Sequence, residues 1–184
     1  HPPKSWNYEA CEAICKRLVE NGWTVILWDQ DLREVEHETR QVQLSGVYNM
    51  RDCGETLTVC KTAALLEICD VHIGADSFPM HLASACGIPT IGIFEKTIPG
   101  ETMPLNANSV AISTRAGINA SAPNVIESEM GRIVLVDDSP IGADVVIPII
   151  KKLLRVKLGV EAESDVSVVL LDGLPPLLAP TAEH

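Results

Sequence analysis

A chain of 184 residues that is 46% hydrophobic can bury one sizeable core, and its length predicts a single domain. Its net charge of −11, with no cluster of Lys and Arg, makes nucleic acid and anionic membrane poor partners, and no apolar run reaches the ~20 residues of a membrane span. If such an acidic chain binds an anion, it must use backbone dipoles and a few placed cations.

The chain opens with His1-Pro2-Pro3-Lys4, which has no initiator Met and reads like the exit of a strand that is not present. It is therefore expected to be a piece of a longer polypeptide. The first helix is predicted from about Asn7 to Glu20, with Asn7 as cap and Ala10, Cys11, Ile14, Cys15, Leu18 and Val19 on one face. Asn21-Gly22 stops it, and Thr24 to Trp28 reads as a buried strand. Asp29 to Gln43 is strongly polar, so it is either an exposed helix or a loop over the carboxyl edge of the sheet. Val47 to Met50 reads as a short strand, followed by a helix capped by Thr56 or Thr58 and running through Val59, Ala63, Leu66 and Ile68.

Asp70 to Phe94 is the stretch around which the rest is organised. Val71 to Ile73 and Thr90 to Phe94 read as buried parallel strands. Between them Ser77 is a good N-cap, Pro79 falls in the first helical turn, and Gly87 with Pro89 closes the helix. The tight polar turn at Asp76-Ser77 aims helix N–H groups and the positive end of a helix dipole at one point outside the sheet, where an anion can sit. His81 lies one turn in and leans back toward that point. The strand–helix alternation from Trp23 to Phe94 predicts an α/β fold, a doubly wound Rossmann-like parallel sheet with helices on both faces.

Beyond Phe94, Glu95 to Asn108 reads as a long loop and Ser109 to Ile112 as a strand. Ser113 to Gly131 has no clear period, and Ile133 to Val136 is a strand or an extended connector. Ser139-Pro140 starts a helix with the stripe Val146, Ile149, Ile150, Leu153 and Leu154, ending near Leu158-Gly159; Pro148 inside the stripe requires a later start or a kink. Val166 to Leu171 is expected to be an edge strand, and Gly173 to His184 a Pro-rich tail, so the domain is expected over 1–160 with 161–184 appended.

The six cysteines, Cys11, Cys15, Cys53, Cys60, Cys69 and Cys86, form no C-x-x-C and no regular framework. Reduced packing thiols in a cytoplasmic protein are the economical reading. No signal peptide is expected, and the sequence shows no metal-ligand spacing, no G-x-G-x-x-G, no Walker loop and no nucleophile elbow. His72 reads as a packed strand residue, His37 among glutamates as surface, and Asp137-Asp138 as a polar helix entry.

Residues Thr56 to Thr97 resemble the donor-binding half of glycosyltransferase family nine, the lipopolysaccharide heptosyltransferases. The resemblance rests on A-A-L-L-E-I-C-D, on V-H-I-G-A-D-S-F-P-M-H-L-A-S-A-C-G-I-P-T and on I-G-I-F-E-K-T-I-P, with P-P-K-S-W-N-Y-E resembling the family's K-x-W-P-x-E. It implies the carboxyl half of a GT-B glycosyltransferase, which grips a nucleotide-sugar, ADP-heptose being one candidate donor. Lys4 would meet the donor's phosphates, and Asp76, Ser77, Phe78 and the following amides would cradle the diphosphate, with His81 close by and Thr97 on the same rim. Asp29 or Glu34 would contact donor hydroxyls.

The acceptor implied is a glycan, lipid-linked or protein hydroxyl. Transfer would be inverting, the catalytic base would come from the amino-terminal half that this chain lacks, and neither metal nor cofactor is needed. Two departures favour a second reading, a non-catalytic domain that keeps the fold and has lost donor binding. Phe78 replaces the family's Gly, and Glu95-Lys96 replaces its Gly-Pro, bringing a carboxylate near the diphosphate. A sugar-nucleotide epimerase of similar architecture is a weaker rival, because the acid/base residues it needs are not visible.

Overall fold

Short apolar runs separated by helices produce the expected sheet. The structure, a computed structural model, describes residues 8–28, 44–50, 58–95, 97–104, 106–114, 125–128, 131–137, 141–158 and 168–172. In chain order the elements are α1 (Tyr8–Glu20), β1 (Thr24–Trp28), β2 (Val47–Asn49), α2 (Val59–Glu67), β3 (Val71–Ala75), α3 (Phe78–Ala85) and β4 (Thr90–Phe94), followed by α4 (Pro99–Thr102), β5 (Ser109–Thr114), β6 (Val125–Ser128), β7 (Gly131–Val136), α5 (Ala143–Leu158) and β8 (Val168–Asp172).

The sheet order is β2-β1-β8-β3-β4-β5-β7-β6. Every described pairing is parallel except that of β6 with β7. Alternation along each strand divides the core between the two faces. Val25 and Leu27 of β1 point with Ile73, Ile91, Ile93 and Ile112 toward α1 and α5, which pack side by side. Ile26 and Trp28 point the other way, against Leu66 and Cys69 at α2 and Ala83 of α3. Met80, Phe94, Met103, Ala111, Ile133 and Leu135 extend that second layer beneath α3 and α4.

Local chemistry explains the boundaries. Gly22 and Gly87 follow α1 and α3 with φ of 81° and 76°, the left-handed region that glycine adopts without strain. Thr58 caps α2 by accepting the Lys61 amide at 3.3 Å. Gly92 leaves room on its face of β4 for the Phe94 ring and the Met80 sulfur, 2.5 Å and 2.8 Å from where a Cβ would stand.

Several expectations change. Val168–Asp172 does not form an edge strand: it pairs with β1 on one side and β3 on the other, in the interior of the sheet. It therefore belongs to the same sheet as the first 160 residues. A run of V-V-L-L apolar on both faces suits an interior slot better than an edge. The stretch from Glu95 to Asn108 is not loop throughout, since Pro99 sits at the start of the short helix α4. Ser113 and Thr114 extend β5, and within the unplaced stretch Val125–Ser128 forms a strand antiparallel to β7. Ile133 to Val136 lies in a strand parallel to β5. The last helix begins at Ala143, later than Ser139-Pro140, and continues through the exposed Pro148. Asn7, the Asp29–Gln43 segment, residues 115–124, Ser139-Pro140 and the Pro-rich tail lie outside the described residues.

Candidate active site

The site begins where β3 ends. All five residues of β3 are buried, and the chain turns at Asp76-Ser77 into α3. Ser77 is the N-cap residue, extended at φ −145° and ψ 167°, with Pro79 within the first turn. Its side chain makes no capping hydrogen bond. By position, the amides of Phe78 and Met80 have no acceptor within the helix, and they point out of its positive end.

Asp76 is 7% exposed, so its carboxylate is held inside the turn. Its Oδ2 accepts the Thr102 hydroxyl of α4 at 3.2 Å. Its Oδ1 lies 3.8 Å from Nε2 of His81, which is beyond hydrogen-bond reach, so the contact is electrostatic. The His81 side chain is half exposed and stands over the turn with its ring facing that carboxylate. One buried acid thus touches both walls of the site, α3 through His81 and α4 through Thr102.

Between those walls lies an open cleft of about 480 Å³. His81, Ser84 and Ala85 line its α3 side. Glu101, Thr102, Met103 and Pro104 line the other. At the far end from Asp76, the Asn106 side-chain amide donates to the Ser84 carbonyl at 3.1 Å, and its oxygen accepts the Asn108 amide at 2.9 Å. The cleft is therefore tied at both ends.

The turn opens at the carboxyl edge of the sheet, beside the reversal of strand order. From β1 the chain moves to β2 on one side; from β3 it moves through β4 to β5 on the other. In an open α/β sheet such a reversal leaves a crevice in which ligands bind. Interior strand β8 fills the position between β1 and β3, ending at Asp172 on the same edge.

Asp76, Ser77, Phe78 and His81 come together at this corner. Phe78, the first residue of α3, is 49% exposed. Thr97 is half-buried on the same edge, just before Ile98, the exposed N-cap residue of α4. Lys4, Asp29 and Glu34 lie outside the described residues, as does Lys96. Glu95 does not act as a loose carboxylate, because its Oε1 accepts the Ile141 amide at 2.9 Å and ties the end of β4 to the approach to α5.

Sequence reasoning did not find Ser84, Glu101 and Thr102. Pro99 is the signal that could have done so, since a proline at the first helical position announces α4 and hence a second wall. Among the described residues no group of three His, Cys, Asp or Glu could hold a metal ion, and no helix is long and apolar enough to cross a membrane.

The family model described as glycosyltransferase family 9 (heptosyltransferase) matches residues 1–132, a span that includes β1 to β5, the Asp76-Ser77 turn and both walls of the cleft. No curated protein and no solved structure matches the chain.

Proposed function

The chain belongs to glycosyltransferase family 9, and on that footing we propose that the Asp76-Ser77 corner receives the diphosphate of a nucleotide-sugar donor in an inverting sugar transfer. The observation that carries this reading is the position of Ser77. It is the N-cap residue of α3 at the carboxyl end of β3, beside the strand-order reversal, with His81 standing over it.

In the reaction, an acceptor hydroxyl attacks the anomeric carbon from the face opposite the diphosphate. The bond from that carbon to the diphosphate oxygen breaks, and the acceptor's proton passes to a base. The departing oxygens gain negative charge. The Phe78 and Met80 amides and the α3 dipole meet that charge with donors already in place, which is more effective than groups that must reorient. His81 adds a side-chain donor at the same point, and Lys4, outside the described residues, is the cation that the family resemblance assigns to the phosphates. Asp76, an acid shut inside the turn, positions His81 and Thr102 rather than touching phosphate, which its charge would repel.

Of the two departures from the family pattern, Glu95 does not oppose donor binding as a loose charge, because its carboxylate accepts the Ile141 amide. Calorimetric titration of ADP, UDP and their sugars against wild type and His81→Ala tests the proposal. Binding by wild type, weakened roughly tenfold in the variant, is expected for loss of one charge-assisted hydrogen bond. Failure of every nucleotide to bind wild type would count against it.

A further inference from the structure

We propose that the donor's diphosphate binds together with one proton, carried by the His81 imidazole and held there by Asp76. The inference rests on the reading of the Asp76-Ser77 corner as the diphosphate site and goes beyond it by making that site answer to pH.

The charges at the corner carry the inference. The chain has a net charge of −11, and the turn that opens α3 holds the carboxylate of Asp76, 7% exposed. A diphosphate brought to the N-terminus of α3 meets that like charge, which the amides and a helix-end charge of about +0.5 offset only in part. His81 is a described side chain at the corner that can become a full cation near neutral pH. Its Nε2 stands 3.8 Å from Asp76 Oδ1. The protonated ring therefore has the buried carboxylate behind it and gains a second anion when the diphosphate arrives. The neutral ring has no net charge to offer either.

The surrounding structure holds that pair. Thr102 donates to Asp76 Oδ2 at 3.2 Å, which fixes the carboxylate with Oδ1 toward the ring. The His81 side chain is 48% exposed, so solvent delivers the proton without any opening of the fold. Among the described residues, Glu101 of α4 also faces the cleft beside His81, a second acid that favours a cation between the walls. At the end of β4 the Glu95 carboxylate accepts the Ile141 amide, and α2 packs against α3 through Leu65 and Leu66 with Leu82, Ala83 and Cys86. Lys4, Lys96 and His37 lie outside the described residues. The two lysines keep their charge across neutral pH, and a variant of His81 separates its response from that of His37. The complex holds the proton more firmly than the free protein does, so affinity is present at about pH 6 and falls as pH rises toward about 8.

Calorimetric titration of ADP-glucose and UDP-glucose in steps from about pH 5.5 to about pH 8.5, each in two buffers of different ionisation enthalpy, tests the proposal. Both phosphates of these probes are esterified, so their charge is constant in that range, whereas the terminal phosphate of ADP or UDP loses a proton near about pH 6. Wild type is expected to bind roughly tenfold more weakly at the upper end and to take up protons on binding, seen as a heat that changes with the buffer. His81→Gln keeps a side-chain N–H at constant charge, and is expected to bind with one affinity throughout and no buffer-dependent heat. Asp76→Asn removes the inner charge, so its affinity should start to fall at lower pH; a merely structural role would weaken binding equally at every pH. Wild-type affinity that is flat across the series without proton uptake, or a His81→Gln variant that keeps the wild-type slope, overturns the inference and leaves the donor reading standing. An Asp76→Asn profile that falls at the same pH as wild type overturns the part given to Asp76. Absence of binding at every pH overturns the donor reading and this inference together. Circular dichroism checks folding, and the exposed His81→Gln change decides the proton should Asp76→Asn not fold.

Discussion

Thr102 and Asp76, 26 residues apart, are joined by a hydrogen bond of 3.2 Å from hydroxyl to carboxylate, which connects α4 to the turn that opens α3. Replacing Thr102 by Val keeps the volume and removes the donor. The Thr102→Val variant is expected to lose about 1–2 kcal/mol of stability in denaturant titration, because a buried carboxylate gives up one of its partners. Its affinity for a nucleotide-sugar should fall as well, since His81 and α4 are both set by Asp76. Unchanged values of both would show that the bond positions nothing.

Gly92 is predicted to be intolerant of any side chain. A Cβ there would meet the Phe94 ring at 2.5 Å and the Met80 sulfur at 2.8 Å. Gly92→Ala should cost about 1–3 kcal/mol through overpacking. Met80 belongs to α3, so the displaced helix should also bind ligand more weakly. Thermal melts and a nucleotide titration on the same preparation read both effects.

The interior position of β8 carries its own consequence. Leu170 pairs with Ile26 on one side and His72 on the other. Proline at 170 removes a ladder N–H from a strand that has two neighbours, a change tolerated at edges and not inside sheets. Leu170→Pro should fail to fold as judged by near-ultraviolet circular dichroism. A folded variant of normal melting temperature would place β8 outside the sheet.

The cysteines should separate by reactivity. Cys60 is exposed on α2, whereas Cys11, Cys15 and Cys69 are buried. Burial, with the Asp70 charge adding to it, pushes the Cys69 thiol from an ordinary 9.0 up to about 12, and its Sγ donates to the Leu65 carbonyl at 3.1 Å. The thiolate is the reactive form, so native protein at pH 8 should take up iodoacetamide at Cys60 and not at Cys69. The folded state favours the neutral thiol. Its contribution to stability is complete below about pH 9 and is lost as pH rises through about 12. Mass mapping after brief labelling checks the first statement, and a melt series across that pH window checks the second.

Much of this fold is legible in the chain because one short unit carries several concordant signals. Val71 to Phe94 combines two apolar runs, an N-cap serine, an early proline and a closing glycine, and each points to strand, helix, strand. The place of β8 was not legible. An apolar run states that a strand is buried and is silent on which neighbours bury it, and those neighbours lie 144 residues away in β1 (Ile26 to Leu170) and 98 away in β3 (His72 to Leu170). The Asp76–Ser77–His81 corner could be read from local spacing. Pro99 could announce α4, but not its partners, because the pairings of Thr102 with Asp76 and Asn106 with Ser84 depend on how α4 returns to α3. Glu95 shows the same limit, since its identity suggested a charge at the ligand and its geometry gives a tie to Ile141.

The most direct test of the account follows backbone amide resonances by two-dimensional NMR while ADP or UDP is added. The account predicts the largest shifts at Phe78, Met80 and His81, at the positive end of α3, with the β6–β7 edge unmoved. Binding that leaves those three amides unshifted, or no binding of either nucleotide at millimolar concentration, would contradict it.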